Sequence, residues 1–228
     1  LLPDGTCVEI PLQGRFIQDS PFTISAKGGK WCLLRDSKRL VRLEPIPKPR
    51  FYEKTTSDGI AMNKIAIMHG KDCLASTIYS ECTHWRSGKQ CRFCAIELGP
   101  DDRLRRKQPK QLAEVVEEAF TEGVAKHVTL TTGTPLTKDR GSLMRAEATK
   151  AIKERMEMPV HAQLEPPEDP RSLETLQRAE VDTIGIHIES FDQSILNAVC
   201  PAKSNMQDYF QAWRSAVKLF GEGQVSTF

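Results

Sequence analysis

Apolar and polar residues follow two different patterns along the chain, and the pattern changes near residue 70. Residues 1–70 show no helical periodicity but have short apolar runs separated by turn residues, such as the pairs Gly28-Gly29 and Asp36-Ser37. The runs are residues 7–10, Phe16 with Ile17, 22–24, 31–34 and 40–43. Short runs of this kind are typical of strands joined by tight turns. We therefore predict a β-rich accessory region over residues 1–70, whose role the pattern leaves open.

The rest of the chain alternates extended segments with amphipathic ones. The extended segments are residues 65–68, 74–80, 127–132, 160–165, 183–190 and a last one from Val225. Apolar residues at helical spacing predict helices over residues 109–123, 142–156, a short stretch from Pro170 and residues 205–220. Strands that alternate with helices on short connections form parallel sheets with right-handed crossovers. The pattern predicts an α/β domain over residues 71–228, either a (β/α) barrel or an open doubly wound sheet.

Polar residues recur in the same phase on three successive predicted strands. One face of the last of these strands carries Ile184, Ile186 and Ile188. The opposite faces of the three strands carry His127, Thr129, Thr131, His161, Gln163, Glu165, His187 and Glu189. A strand buried on both sides is apolar throughout, and buried polar groups require partners. The alternation favours a barrel with a polar interior that accepts a polar ligand.

Composition and charge narrow the class of protein. The chain has 228 residues, with 32 basic and 30 acidic side chains, and no apolar run approaches the ~20 residues of a membrane span. We therefore expect no nucleic-acid or membrane partner. No signal peptide opens the sequence, and seven cysteines suit the reducing cytoplasm. The chain starts at Leu1 and ends inside a predicted strand, which indicates a piece of a longer protein.

Three of the cysteines lie close together in a loop that follows the segment 74–80. Cys82, Cys91 and Cys94 have the spacing C-x8-C-x2-C. Clustered thiolates repel one another unless a metal compensates their charge, so the loop indicates a metal site. Three thiolates suit a [4Fe-4S] cluster with one open iron, whereas zinc would take His84 as a fourth ligand. Cys73 is excluded because the strand that follows it spans roughly 30 Å.

The loop resembles the three-cysteine signature of the radical S-adenosylmethionine (SAM) superfamily, including the aromatic residue Phe93 before the last cysteine. The usual spacing is C-x3-C-x2-C, and the longer first gap found here occurs in some branches. Further stretches look most like a biotin-synthase-like branch encoded near nitrilases. They are HWRSGKQCRFCAIE, TTGTP, HAQLEPP and GIHIESFDQSILN. The resemblance covers about residues 65–228.

The resemblance implies a fold and a chemistry. The fold is the TIM-barrel-like partial (β/α) barrel of the radical SAM type, here truncated in strand 5 and preceded by the β-rich accessory region. Cys82, Cys91 and Cys94 would hold a [4Fe-4S] cluster that cleaves SAM and yields a 5′-deoxyadenosyl radical. The radical would abstract hydrogen from a small substrate of unknown identity. A flavodoxin or ferredoxin would supply the electron, and the charged loop that begins at Asp101 is a candidate docking patch.

The resemblance also implies which residues meet SAM. The Thr-Gly-Thr-Pro stretch takes the place of the motif that binds the SAM amino group, although the usual acidic residue of that motif is absent. Glu189 takes the place of a residue that meets the ribose. The full expected set is Thr131, Thr132, Gly133, Thr134, Gln163, Glu165, His187 and Glu189. Two alternatives stay open: a zinc-stabilised binding module that uses Cys82, His84, Cys91 and Cys94, and a non-catalytic half-barrel that binds a partner.

Overall fold

The computed structural model describes residues 1–10, 17–99 and 103–227. Contacts divide the chain into two compact units, Leu1–Pro49 and Arg50–Phe228. Three positions named in the sequence predictions lie outside the described residues: Phe16 in an apolar run, Asp101 at the start of the charged loop and Phe228 at the end of the last strand.

The first unit contains a three-stranded antiparallel sheet in the order β1-β2-β3. The strands are β1 Phe22–Lys27, β2 Lys30–Arg35 and β3 Lys38–Leu43. Both hairpins turn on two residues with positive φ, which matches the right-handed twist of paired strands. In the second turn these residues are Asp36 and Ser37, with φ of 48° and 65°. The predicted β-rich character and both predicted turns are confirmed.

The second unit is built on a six-stranded sheet in chain order. Its strands are β4 Ile67–His69, β5 Cys73–Thr77, β6 His127–Thr131, β7 Val160–Leu164, β8 Thr183–Ile186 and β9 Val225–Ser226. The β4 strand runs antiparallel to β5, and the remaining neighbours are parallel. This arrangement is the predicted α/β fold, a partial barrel with helical crossovers.

The helices follow the strands as predicted, with two additions. They are α1 Thr83–Arg86, α2 Pro109–Thr121, α3 Ser142–Lys153, α4 Arg171–Arg178, α5 Gln193–Val199 and α6 Met206–Phe220. The sequence analysis did not predict α1 or α5, which are too short to show an apolar period. Asp192 caps α5 by accepting hydrogen bonds from the backbone N–H groups of Ser194 and Ile195. No helix in the described part of the chain has the length and apolar character needed to cross a membrane.

The two faces of the sheet differ as the alternation predicts. Val128, Leu130 and Val160 are buried in one hydrophobic cluster with residues of α2 and α3. Ile184 and Ile186 are buried in a second cluster with residues of α4 and α6. Helices therefore cover the apolar face.

The strand register aligns the polar positions. His161 pairs with Thr129 on one neighbour and Thr183 on the other, and Gln163 pairs with Gly185. The polar residues therefore share the opposite face of the sheet, which is the inner face of the partial barrel.

Residues 50–70 belong to the second unit, although the sequence analysis placed them in the accessory region. Phe51, Met62 and Ile65 are buried in the same hydrophobic cluster as α2. The Glu122 carboxylate at the end of α2 accepts hydrogen bonds from the backbone N–H groups of Arg50 and Phe51. Turn-rich sequence without periodicity does not reveal such tertiary burial.

Candidate functional site

The carboxyl ends of β6, β7 and β8 open into a cleft of about 360 Å³, which we call the edge cleft. Most of the residues expected to meet SAM line it: Thr131, Thr132, Thr134, Gln163, Glu165, His187 and Glu189. The rest of the lining is Phe93, Arg140, Arg145, Leu164 and Lys203. Ligands of parallel α/β folds bind at this end of the strands, so the edge cleft is the principal candidate site.

Gly133 lies beneath the cysteine loop instead of lining the cleft. Its N–H donates to the Tyr79 carbonyl at 2.7 Å, and the Thr83 N–H donates to the Thr134 carbonyl at 2.8 Å. A Cβ on Gly133 would lie 2.0 Å from the Glu81 carbonyl oxygen. Only glycine allows this approach, so Gly133 lets the start of the cysteine loop rest against the loop after β6.

Glu165 is the buried carboxylate of the edge cleft. Thr134 Oγ1 donates to its Oε1 at 2.6 Å, and Arg140 Nη1 lies 3.1 Å from its Oε2. His84 Nε2 lies 3.5 Å from Oε1. Burial alone would raise the pKa of Glu165, but His84, Arg140 and Thr134 outweigh it and lower that pKa below its ordinary value. Glu165 is therefore ionised at neutral pH.

Three cations that the sequence analysis did not identify face the same cleft. Arg145 is 2% exposed, and its Nη1 donates to the Arg140 carbonyl at 3.1 Å. Burial lowers the pKa of Arg145 to about 10, which keeps it charged at neutral pH. Lys203 Nζ donates to Glu189 Oε1 at 2.7 Å. An arginine on a helix and a lysine in a loop carry no sequence signal for such burial, since both are typical of solvated surfaces.

Two histidines on the polar face are close to one another. His161 Nδ1 lies 2.7 Å from Thr183 Oγ1. A Cβ on Gly185 would lie 2.6 Å from His187 Nε2 and 2.9 Å from His161 Nε2, so the glycine makes room for both rings. Burial, helped by His161, lowers the pKa of His187 to about 4. His187 is therefore neutral at pH 7. His127 begins β6 at the opposite end of the sheet, away from the edge cleft.

Hydrogen bonds close the cysteine loop on itself and tie it to the end of α5. The Cys82 N–H donates to Glu97 Oε1 at 2.8 Å, and the Arg92 N–H donates to the Val199 carbonyl at 2.9 Å. The Cys94 N–H donates to the Cys91 carbonyl at 3.1 Å, which closes a turn around Phe93. Because Phe93 lines the cleft, this turn adjoins it.

The three thiols are free and do not form a ready-made metal site. Within the described ranges, no three His, Cys, Asp or Glu side chains are grouped to hold a metal. Burial, together with the neighbouring Cys200, raises the pKa of Cys91 to about 12. Metal ligands commonly converge only when metal binds and displaces their protons. Three free thiols on one anchored loop remain a donor set that suits an iron-sulfur cluster.

Two side chains considered as further ligands are engaged elsewhere. His84, the fourth ligand of the zinc alternative, faces Glu165. Cys73 begins β5, and its sulfur lies 3.3 Å from Thr129 Oγ1. That position is at the amino end of the strand, as the sequence analysis predicts.

A second cavity of about 330 Å³ lies on the inner face of the sheet, and we call it the inner cavity. It shares Thr131 and Gln163 with the edge cleft, so the two spaces adjoin. Its other lining residues are Asn63, Lys64, Ile65, Ala66, Ile67, His69, Ala75, Ser76, Thr77, Lys107 and Thr129.

Comparison of the fold with solved structures gives matches of low sequence identity. Methylornithine synthase (PylB) is 18% identical, with a TM-score of 0.50 over 65% of this chain and 42% of that chain. Coproporphyrinogen III oxidase (HemN) from Escherichia coli, a radical SAM enzyme, is 15% identical, with a TM-score of 0.42 over 73% of this chain and 38% of that chain. The chain thus spans about two fifths of each of these proteins. A search of curated proteins gave no match.

The sequence also matches a family model. The model of the radical SAM superfamily matches residues 86–228, more than half of the chain. The matched span contains Cys91 and Cys94 and begins just after Cys82. This match over more than half of the sequence shows that the chain belongs to the radical SAM superfamily.

Proposed function

We propose that this protein is a radical SAM enzyme in which Cys82, Cys91 and Cys94 hold a [4Fe-4S] cluster and the edge cleft binds SAM. One observation carries the proposal: the anchored cysteine loop adjoins a cleft lined by seven of the residues expected to meet SAM. Members of the superfamily generally use this cluster and this cosubstrate. Phe93 is the direct link, because it lies between Cys91 and Cys94 and lines the cleft.

The charges of the edge cleft suit the amino-acid part of SAM, which carries an ammonium, a carboxylate and a sulfonium. Arg140, Arg145 and Lys203 supply cations for a carboxylate, and Glu165 and Glu189 supply anions. The hydroxyl groups of Thr131 and Thr132 offer neutral hydrogen-bonding partners for the polar groups of SAM. A site with both signs of charge can pair with the carboxylate of SAM and with its ammonium at the same time.

When bound, the cluster held by Cys82, Cys91 and Cys94 would supply one electron for cleavage of SAM to methionine and a 5′-deoxyadenosyl radical, which would take one hydrogen atom from the substrate. The residues of the chain bind and orient the two reactants and exclude water from them. Thr131 and Gln163 stand where the edge cleft meets the inner cavity, so we assign the inner cavity to the substrate.

The electron must come from a reducing partner, and we propose a flavodoxin or ferredoxin. Arg105 and Arg106 are exposed on the segment that pairs with the end of β5. An ion pair of 3.0 Å between Arg105 and Glu81 connects this segment to the start of the cysteine loop. An exposed basic segment suits an acidic electron carrier. Seven free cysteines suit the cytoplasm.

The test of this function is SAM cleavage by the anaerobically reconstituted protein with dithionite as reductant. We expect methionine and 5′-deoxyadenosine in equal amounts, resolved by liquid chromatography, and neither product from the Cys94→Ala variant. A colourless protein that binds one zinc tightly and leaves SAM intact would instead support the zinc-stabilised module. An iron-sulfur protein that neither binds nor cleaves SAM would support a non-catalytic half-barrel.

A further inference from the structure

Lys107 departs from the solvated charged loop in which its sequence neighbours lie. Its backbone N–H donates to the Ile78 carbonyl at 2.9 Å, and the Ser80 N–H donates to the Arg105 carbonyl at 2.8 Å. The side chains of Arg105 and Arg106 point outward, whereas Lys107 lines the inner cavity. The backbone pairing therefore holds Lys107 at the end of β5 with its side chain directed inward.

The ammonium group of Lys107 has no acidic partner in the part of the chain that the structure describes. Its hydrogen bond is to Ser76 Oγ at 3.3 Å. Ser76 is itself occupied, because its hydroxyl donates to the Ile65 carbonyl at 2.6 Å. Burial lowers the pKa of Lys107 to about 8, with no nearby charge to oppose the shift. Lys107 is partly buried, and a cation that loses part of its hydration without gaining a counter-charge destabilises the fold.

The inner cavity around Lys107 combines apolar walls from Ile65, Ala66, Ile67 and Ala75 with a few polar groups, and its described lining has no acidic residue. Hydroxyl and amide groups line it, from Thr77, Thr129, Thr131, Asn63 and Gln163. The volume of about 330 Å³ lies at the lower end of the range for small-molecule sites. The cavity therefore suits a small polar molecule that brings its own negative charge.

We propose that Lys107 binds a carboxylate of the substrate, which makes the substrate of this enzyme a small carboxylic acid held in the inner cavity. The inference rests on the proposed function, since that function assigns the inner cavity to the substrate. Ser76 on β5 holds the ammonium at 3.3 Å, and Thr77 adds a further hydroxyl group to the cavity lining. With its carboxylate on Lys107, the substrate extends toward Thr131 and Gln163, where the edge cleft begins.

A carboxylate matches this site better than a phosphate does. Lys107 supplies one partly buried positive charge, and the other basic side chains of the lining, Lys64 and His69, are exposed. One carboxylate neutralises one ammonium. A phosphate monoester carries up to two negative charges, so it would leave excess charge in the cavity.

The experiment measures binding to the full chain without iron or SAM, so its outcome is independent of cluster assembly. The probes are aliphatic and aromatic monocarboxylates, each paired with its primary amide, together with methyl phosphate. Binding is followed by the NMR signal of the lysine ε-carbon of Lys107, assigned by its loss in Lys107→Met, and by calorimetry. Lys110→Met is the matched control, because Lys110 is an exposed lysine nearby whose side chain is 71% accessible.

We expect at least one carboxylate to bind about tenfold or more tightly than its amide and to raise the pKa of Lys107. The preference for the acid should fall below about twofold in Lys107→Met and persist in Lys110→Met. Equal binding of acid and amide, an unchanged preference in Lys107→Met, tighter binding of methyl phosphate or no binding at all would overturn the proposal. Those results would leave the cluster and SAM cleavage untouched, since neither is needed for the measurement.

Discussion

Thr134 Oγ1 lies 2.6 Å from Glu165 Oε1, and this hydrogen bond joins the loop after β6 to the end of β7. The same carboxylate faces Arg140 and His84, and His84 belongs to the cysteine loop. Glu165 thus connects three neighbouring strand ends around the edge cleft. Glu165 therefore positions these loops relative to one another.

Removing the charge of Glu165 should destabilise the protein. Glu165→Gln leaves the Arg140 guanidinium, which is largely buried, without its closest anion. We expect a loss of about 3 kcal/mol in the free energy of unfolding, measured by urea denaturation. Glu168→Gln is the control, because Glu168 is exposed and lies 3.4 Å from the same arginine. The control should lose less than about 1 kcal/mol, and equal losses would contradict the assigned role.

The free energy of unfolding at acid pH should depend on the ionisation of Glu165. The pKa of Glu165 is lower in the folded chain than the ordinary value of 4.5. Its contribution is therefore complete above that pH and is lost as the pH falls through the folded-state pKa. The difference in unfolding free energy between wild type and Glu165→Gln should shrink on acidification below about pH 4.5. If this difference in unfolding free energy stays constant down to the pH of acid unfolding, the assigned role of the Glu165 charge is wrong.

The close approach at Gly133 should not tolerate a methyl group. In Gly133→Ala the Cβ would meet the Glu81 carbonyl oxygen at 2.0 Å, so the cysteine loop must move. We expect a loss of more than about 2 kcal/mol in unfolding free energy and reduced iron content after reconstitution. Gly123→Ala separates this clash from backbone strain, because Gly123 has φ of +78° and open space around it. That variant should lose about 1 kcal/mol and keep its iron.

The protein should become more stable as the pH rises, because Lys107 loses its destabilising charge. Its pKa is about 8 in the folded chain against 10.5 for an ordinary lysine, so the unfolded state binds the proton more tightly. The destabilisation caused by the charged Lys107 is present at neutral pH and disappears as the pH rises from about 8 to 10.5. Lys107→Met should therefore be more stable at pH 7 by on the order of 2 kcal/mol, with the gain vanishing by about pH 10.5. A gain that does not depend on pH would show that packing, not charge, is responsible.

The sheet could be predicted from the sequence because its two faces differ in polarity. Ile184 and Ile186 alternate with Gly185 and His187, and this alternation gave both the helix-covered face and the inner face. The predicted helices are confirmed, because each has a full apolar stripe. The seven-residue α5 was missed, since its capping residue Asp192 is a local signal that the apolar pattern does not contain.

The candidate site was predictable only where its residues share a strand or a loop. Gln163, Glu165 and His187 follow from the phase of β7 and β8. The cations Arg140, Arg145 and Lys203 reach the edge cleft from turns and a helix, and only tertiary packing brings them there. Lys107 was grouped with the charged loop, because sequence alone does not distinguish the inward residue of a basic run from its exposed neighbours.

The central claim is that Cys82, Cys91 and Cys94 together hold a [4Fe-4S] cluster. The measurement is iron and sulfide content after anaerobic reconstitution, with visible absorption and a paramagnetic signal on reduction, for wild type and single cysteine-to-alanine variants. We predict about four irons per chain in wild type and in Cys73→Ala. Alanine at position 82, 91 or 94 should abolish the colour and the signal. Full iron content in the Cys82, Cys91 or Cys94 variant, or its loss in Cys73→Ala, would contradict the account.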